Sequence, residues 1–77
     1  MSRRKGWDVA DDLMKEFPSV HVVYLSSGKY EVCPRGLSPE VVPAQVYDRA
    51  VYLRRALPGL VRLWDVKRLE LSQLSLL

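Results

Sequence analysis

The chain of 77 residues has no Asn, Thr or Ile, a single Cys, a single His and four Gly. One cysteine, Cys33, excludes an intramolecular disulfide and any multi-cysteine metal site. It also fits a reducing compartment, so a cytoplasmic location is expected. One imidazole, His21, leaves nucleophilic catalysis with a single candidate base. Gly6, Gly28, Gly36 and Gly59 stand too far apart to cradle a phosphate, which removes nucleotide hydrolysis from consideration. No 18 apolar residues follow one another and no apolar run follows the first cations, so neither a membrane span nor a signal peptide is expected. A chain this short buries only about 60% of its unfolded surface. One small domain is therefore the ceiling, and a dinucleotide-binding unit or a barrel is excluded by length.

What is present suffices for a core. Twelve Leu and eleven Val argue against disorder. Eight Arg and four Lys against nine acids give a net charge of +3, which favours an anionic partner weakly. The excess is uneven: Arg3, Arg4 and Lys5 precede the first apolar pattern, whereas Asp8, Asp11, Asp12 and Glu16 crowd the segment behind them.

Residues 1–6 read as a basic tail and residues 7–77 as one α+β domain. Val9, Ala10, Leu13, Met14 and Phe17, joined by Trp7, recur at helical spacing, which predicts an amphipathic helix over 7–17 that Pro18 ends. Between Val20 and Pro34 the β-branched and aromatic residues on either side of Ser26-Ser27-Gly28-Lys29 predict a hairpin. With Ser27-Gly28 in the turn, Leu25, Val23 and His21 would face Tyr30, Val32 and Pro34 across the core side. Val22 opposite Cys33 and Tyr24 opposite Glu31 would form the outer side. Ser38-Pro39-Glu40 signals a helix start, but Pro43 restricts it to a short turn at 38–42, with a main helix over 43–57. Its apolar stripe would be Val46, Ala50, Leu53 and Leu57. Pro58-Gly59 reads as a breaker, and Leu60 to Val66 as a strand with Val61 and Leu63 inward and Arg62, Trp64 and Val66 outward. The segment 67–77 fits both a strand and a helix, and 66–77 is expected to dock or dimerise. The expected fold is thus a small two-layer α+β domain in the order αββαβ, with a further C-terminal strand possible and the helices on one face of a mostly antiparallel sheet. That order resembles the type II KH arrangement of nucleic-acid-binding domains across much of residues 7–66. Gly36-Leu37-Ser38-Pro39, where such a domain has its GxxG loop, lacks the second Gly.

Catalysis and metal binding find little support. In the expected register His21 and Cys33 lie on opposite faces of the hairpin, and a rim imidazole with a semi-buried thiol is the plainer reading. One His, one Cys and scattered acids lack a familiar ligand spacing. A non-enzymatic binding module is therefore expected, with no cofactor, no metal and no membrane. The leading partner is DNA or RNA bound with little sequence preference. Tyr24 and Trp64 would stack on bases beside Arg62 and Lys29, while Arg49, Tyr52 and Arg55 on the long helix and the tail cations Arg3, Arg4 and Lys5 would hold phosphates. The alternative is a self-associating structural or adaptor protein, a homodimer built on Val22, Cys33, Val66, Leu69, Leu71, Leu74 and Leu77, because so many leucines would otherwise stay wet.

Overall fold

A computed structural model describes residues 6–75. In it the chain runs as a helix, three strands and a long helix: α1 (Gly6–Glu16), β1 (Val20–Tyr24), β2 (Tyr30–Pro34), β3 (Gln45–Tyr47) and α2 (Ala50–Ser75). The three strands form one antiparallel sheet in the order β1-β2-β3. The domain is α+β, but the order is αβββα rather than αββαβ, and the likeness to the type II KH arrangement ends there. Arg3, Arg4, Lys5 and Leu77 lie outside the described residues.

Helix α1 places Ala10 and Leu13 in the core, with Val9, Met14 and Phe17 packed against them. The N–H of Phe17 donates to the Leu13 carbonyl, and Pro18 then ends the helix. Gly6, expected in the tail, opens this helix against the ring of Tyr24, where a Cβ would have no room.

The hairpin turns one residue wider than expected. The Gly28 N–H donates to the Leu25 carbonyl at 2.9 Å, and the Leu25 N–H to the Lys29 carbonyl at 2.8 Å, so the loop is Ser26-Ser27-Gly28. Gly28 has φ +89°, the left-handed conformation that closes a three-residue hairpin with a bulge. The extra loop residue shifts the register to Val20↔Pro34, Val22↔Val32 and Tyr24↔Tyr30. β2 keeps its expected inward face, but β1 is reversed, because a slip of one exchanges the faces of a strand. Val20 and Val22 are buried, whereas His21 and Val23 reach solvent. Val22 therefore belongs to the core and is not available for self-association.

After β2 a single turn closes over 38–42, where the N–H groups of Val41 and Val42 both donate to the Ser38 carbonyl. The expected helix over 43–57 does not begin at Pro43. Gln45–Tyr47 pairs instead with the open edge of β2, setting Tyr47 beside Tyr30 and Val46 beside Glu31. Val46 is 51% exposed on this strand rather than part of a helical stripe. Satisfying the free N–H and C=O groups along β2 competes with helical periodicity here and wins.

Helix α2 then runs unbroken through Pro58 and Gly59, which replaces the expected breaker and the expected strand 60–66. Its core stripe is Leu53, Leu57, Leu60 and Trp64, spaced four, three and four residues apart. Burial accounts for the continuity. A proline inside a helix costs about 3 kcal/mol, but burying two large apolar side chains beyond it, Leu60 and Trp64, returns about 1.5–3 kcal/mol each. Pro58 is itself exposed, so the Arg54 carbonyl that lacks its helical N–H partner lies on the wet side of the helix. Side chains from α1, from one sheet face and from α2 form a single core cluster. The far end of α2 is tied down by Arg68, whose Nη2 donates to the Arg35 carbonyl at 2.8 Å and the Ser19 carbonyl at 3.3 Å while its Nη1 meets Asp65. Arg35 in turn donates to the Val20 carbonyl at 3.2 Å.

Two outcomes check these assignments. Pro58→Ala should raise stability by about 1–3 kcal/mol in chemical denaturation, since it restores a helix donor at an exposed site; a loss would mean that the proline ring itself supports the helix. Burial pushes the Tyr30 phenol above its ordinary value of 10.0, and the neighbouring Tyr24 adds to the rise. The stability contributed by the neutral Tyr30 is present below about pH 10 and is lost as pH climbs through the raised value of the folded state. Tyr30→Phe should therefore flatten the alkaline limb of a stability-against-pH curve, and an unchanged limb would refute this cause.

Candidate binding surface

The structure separates the residues that the sequence reading had grouped. Trp64 is 3% exposed, inside the core, and cannot stack on a base. It points inward because 60–66 is helical, so that residue 64 follows Leu60 on the buried stripe. Tyr24 is half-buried at the sheet margin, its ring centroid 5.1 Å from that of Tyr30 at an interplanar angle of 51°. Lys29 is held by Asp48 at 3.4 Å, across from the hairpin loop. Arg62 is exposed on α2. The expected aromatic platform of Tyr24, Trp64, Arg62 and Lys29 on the outer sheet face is therefore not assembled.

The outer sheet face carries His21, Val23, Glu31, Cys33 and Val46 instead. The corrected register makes His21 and Cys33 direct cross-strand partners, with Sγ 4.0 Å from Nδ1. The imidazole is exposed and the thiol half-buried. Among the described residues no three His, Cys, Asp or Glu side chains converge as a metal site. Among the described residues no third group hydrogen-bonds the imidazole.

Helix α2 presents the other surface. Tyr52, Arg55 and Arg62 lie exposed on its outward side, and Arg49, also exposed, stands immediately before its first residue. Asp48, which would have neutralised Arg49 and Arg55, is engaged by Lys29. Ion pairs elsewhere join Arg54 to Glu16, Lys67 to Glu70 and Arg68 to Asp65, and among the described residues none engages Arg49, Arg55 or Arg62. The first turn of α2 carries no acidic residue either, so its positive N-terminal end adds to theirs.

Beside this basic row runs a second apolar stripe. Tyr52, Ala56, Gly59, Leu63 and Val66 recur at intervals of four, three, four and three, the spacing of a helix seam. Tyr52 is 50%, Leu63 66% and Val66 53% exposed. Ala56 and Gly59 supply no bulk, so the helix is indented there, and Leu60, Arg62, Leu63 and Val66 rim the groove. Leu69 and Leu74 extend the exposed apolar surface, while Leu71 is half-buried. Of the residues expected to self-associate, Val66, Leu69 and Leu74 thus share the outside of α2. Cys33 lies on the opposite side of the molecule, on the outer sheet face.

The sequence reading missed Ala56, Gly59 and Leu63 as parts of one face. Taking Pro58-Gly59 as a stop hid a seam that crosses it, although the four-three repeat was there to be counted. No family model matches the chain, no curated protein matches it, and no solved structure matches it.

The two apolar groups on α2 should respond oppositely to truncation. Trp64→Ala should cost about 3–5 kcal/mol and leave this small domain largely unfolded by circular dichroism. Leu63→Ala, one residue away, should change stability by no more than about 0.5 kcal/mol. Equal losses at the two positions would contradict the assignment of buried and outward faces.

Proposed function

We propose that the protein is a small non-enzymatic binding module that works by docking another protein against the outward face of α2. The observation that carries this reading is the seam Tyr52, Ala56, Gly59, Leu63 and Val66, of which Ala56 alone packs, half-buried, against the domain's own core. A contiguous apolar surface of this kind, rimmed by charge, is characteristic of a protein interface. Its grooved centre and rigid helical backbone suit a helix laid alongside.

A second reading, contact with nucleic acid, is favoured by one specific observation: Arg49, Tyr52, Arg55 and Arg62 are all exposed, and among the described residues no acid engages them. Three phosphate contacts would give log affinity a slope of about −2 to −3 against log salt. That reading leaves Leu63, Val66, Leu69 and Leu74 without a role, so it stands second.

A photocrosslinking residue at position 63, in the cells that make the protein, tests the first reading. A discrete protein adduct is expected, lost when Val66→Asp is added and retained when His21→Ala and Cys33→Ser are combined. The same probe at position 40 should give none. Absence of any Val66-dependent adduct would reject the docking role of this face.

A further inference from the structure

We infer that the partner of α2 is an amphipathic helix whose apolar seam is bordered by acidic residues at heptad spacing, rather than a second copy of this chain. The inference rests on the reading of the outward face of α2 as the working surface and adds the chemistry of what it holds.

The two borders of the seam differ in charge and burial. With Ala56, Leu63 and Glu70 at one seam position and Tyr52, Gly59 and Val66 at the other, one border is Arg55, Arg62 and Leu69, each a heptad from the next. The opposite border is Leu53, Leu60 and Lys67, of which Leu53 and Leu60 are already buried in the domain's own core. A docking helix therefore approaches from the arginine side.

Self-pairing meets like charge in both orientations. Two antiparallel copies placing Gly59 against Leu63 of the other would fit small against large, yet this register sets Arg62 beside its own symmetry mate. Two parallel copies would bring Arg62 toward Lys67 across the interface. Like charges at an interface steer wrong partners away. A foreign helix with acids along its flank meets no such obstacle. It would give Arg55 and Arg62 the ion-pair partners that the described residues do not supply, with Arg49 and the acid-free first turn of α2 extending the same preference toward one end.

The size of the surface agrees. Tyr52, Leu63, Val66 and Leu69, all half or more exposed, together with the stems of Arg55 and Arg62, offer on the order of 600 Å², which is the scale of a modest interface and enough for one helix laid lengthwise. Gly59 and Ala56 lower the centre of the groove, so a large apolar side chain of the partner would seat between Arg62 and Leu60.

The test uses the full chain and two synthetic helical peptides that share a leucine seam, one with Glu and one with Lys at the flanking heptad positions. By fluorescence anisotropy the Glu-flanked peptide should bind about tenfold tighter than the Lys-flanked one. Arg55→Glu combined with Arg62→Glu should reverse that order, and Leu63→Asp should abolish both interactions. All three positions are exposed, so the variants should keep the melting temperature of the parent. Equal affinity for the two peptides, or no binding of either, would overturn the inference. So would a dimer in solution that Leu63→Asp dissociates, or an oligonucleotide that binds more tightly than the Glu-flanked peptide and is unaffected by Leu63→Asp. A crosslink from position 63 that persists while the peptide preference fails would separate the loss of this inference from the loss of the docking role itself.

Discussion

The left-handed conformation of Gly28 is the constraint on which the rest of this small domain depends. It makes the hairpin loop three residues long, and loop length sets the register of β1 against β2. With that register Val20, Val22, Val32 and Tyr30 point to the same side and give α1 and α2 a floor to pack on. One residue fewer in the loop would turn Val20 and Val22 to solvent and bring His21 and Val23 inward. A domain that nets only a few kcal/mol could not absorb the change. The same register decides what the outer sheet face carries, namely a His21–Cys33 pair and Glu31 instead of an aromatic platform.

The floor also explains why α2 is one helix. The stripe Leu53, Leu57, Leu60 and Trp64 can cover the sheet face only if the 3.6-residue period continues through Pro58 and Gly59. Arg68 then anchors the helix to the carbonyls of Ser19 and Arg35 at the far end of β1 and β2. Continuity has a second consequence. A helix of 26 residues is about 39 Å long, roughly twice a five-residue strand, so much of it stands clear of the sheet. Because one helical period runs on through Pro58 and Gly59, the outer side is continuous as well, which is why Tyr52 and Val66, nearly four turns apart, share a seam.

How much of this was legible in the sequence varied with the kind of signal. The first helix and the hairpin were plain, because Val9, Ala10, Leu13 and Phe17 keep one period and Pro18 or Ser26-Ser27-Gly28 punctuates it. The register was not, because a glycine in a four-residue turn signal fits either a two- or a three-residue loop. Only burial tells them apart. Val46, Ala50, Leu53 and Leu57 match a helical stripe as well as they match a strand followed by a helix, and the deciding factor, an unpaired edge on β2, is not local. Pro58-Gly59 misled for a related reason: breaker strength is a local quantity, whereas the burial that overrides it is contributed by residues on the sheet. The error at Pro58 propagated directly to the site, since calling 60–66 a strand turned Trp64 outward and Leu63 inward, the reverse of their positions. On the basic row the outcome was mixed: Tyr52 and Arg55 fall on a helix as expected, whereas Arg49, expected within the helix 43–57, stands just before α2.

The division of α2 into two faces sets stability on one stripe and the proposed recognition on the other. The core stripe carries the fold, and in a chain of this size it has little to spare. The outer stripe is wet in the isolated domain, so replacing Leu63 or Val66 with a polar residue would cost the fold almost nothing and would improve solubility. Their presence is therefore not explained by folding, and neither is the clustering of Arg55 and Arg62, which no ion pair among the described residues engages. Both departures occur on the same side of the same helix, one beside the other. A purely electrostatic role would account for the arginines but not the leucine and valine, and a purely apolar self-contact for the leucine and valine but not the arginines, which would repel. A partner that is apolar along its seam and acidic along its border accounts for both at once, and this joint account, more than either feature alone, is what distinguishes the outward face of α2 from an ordinary solvated helix.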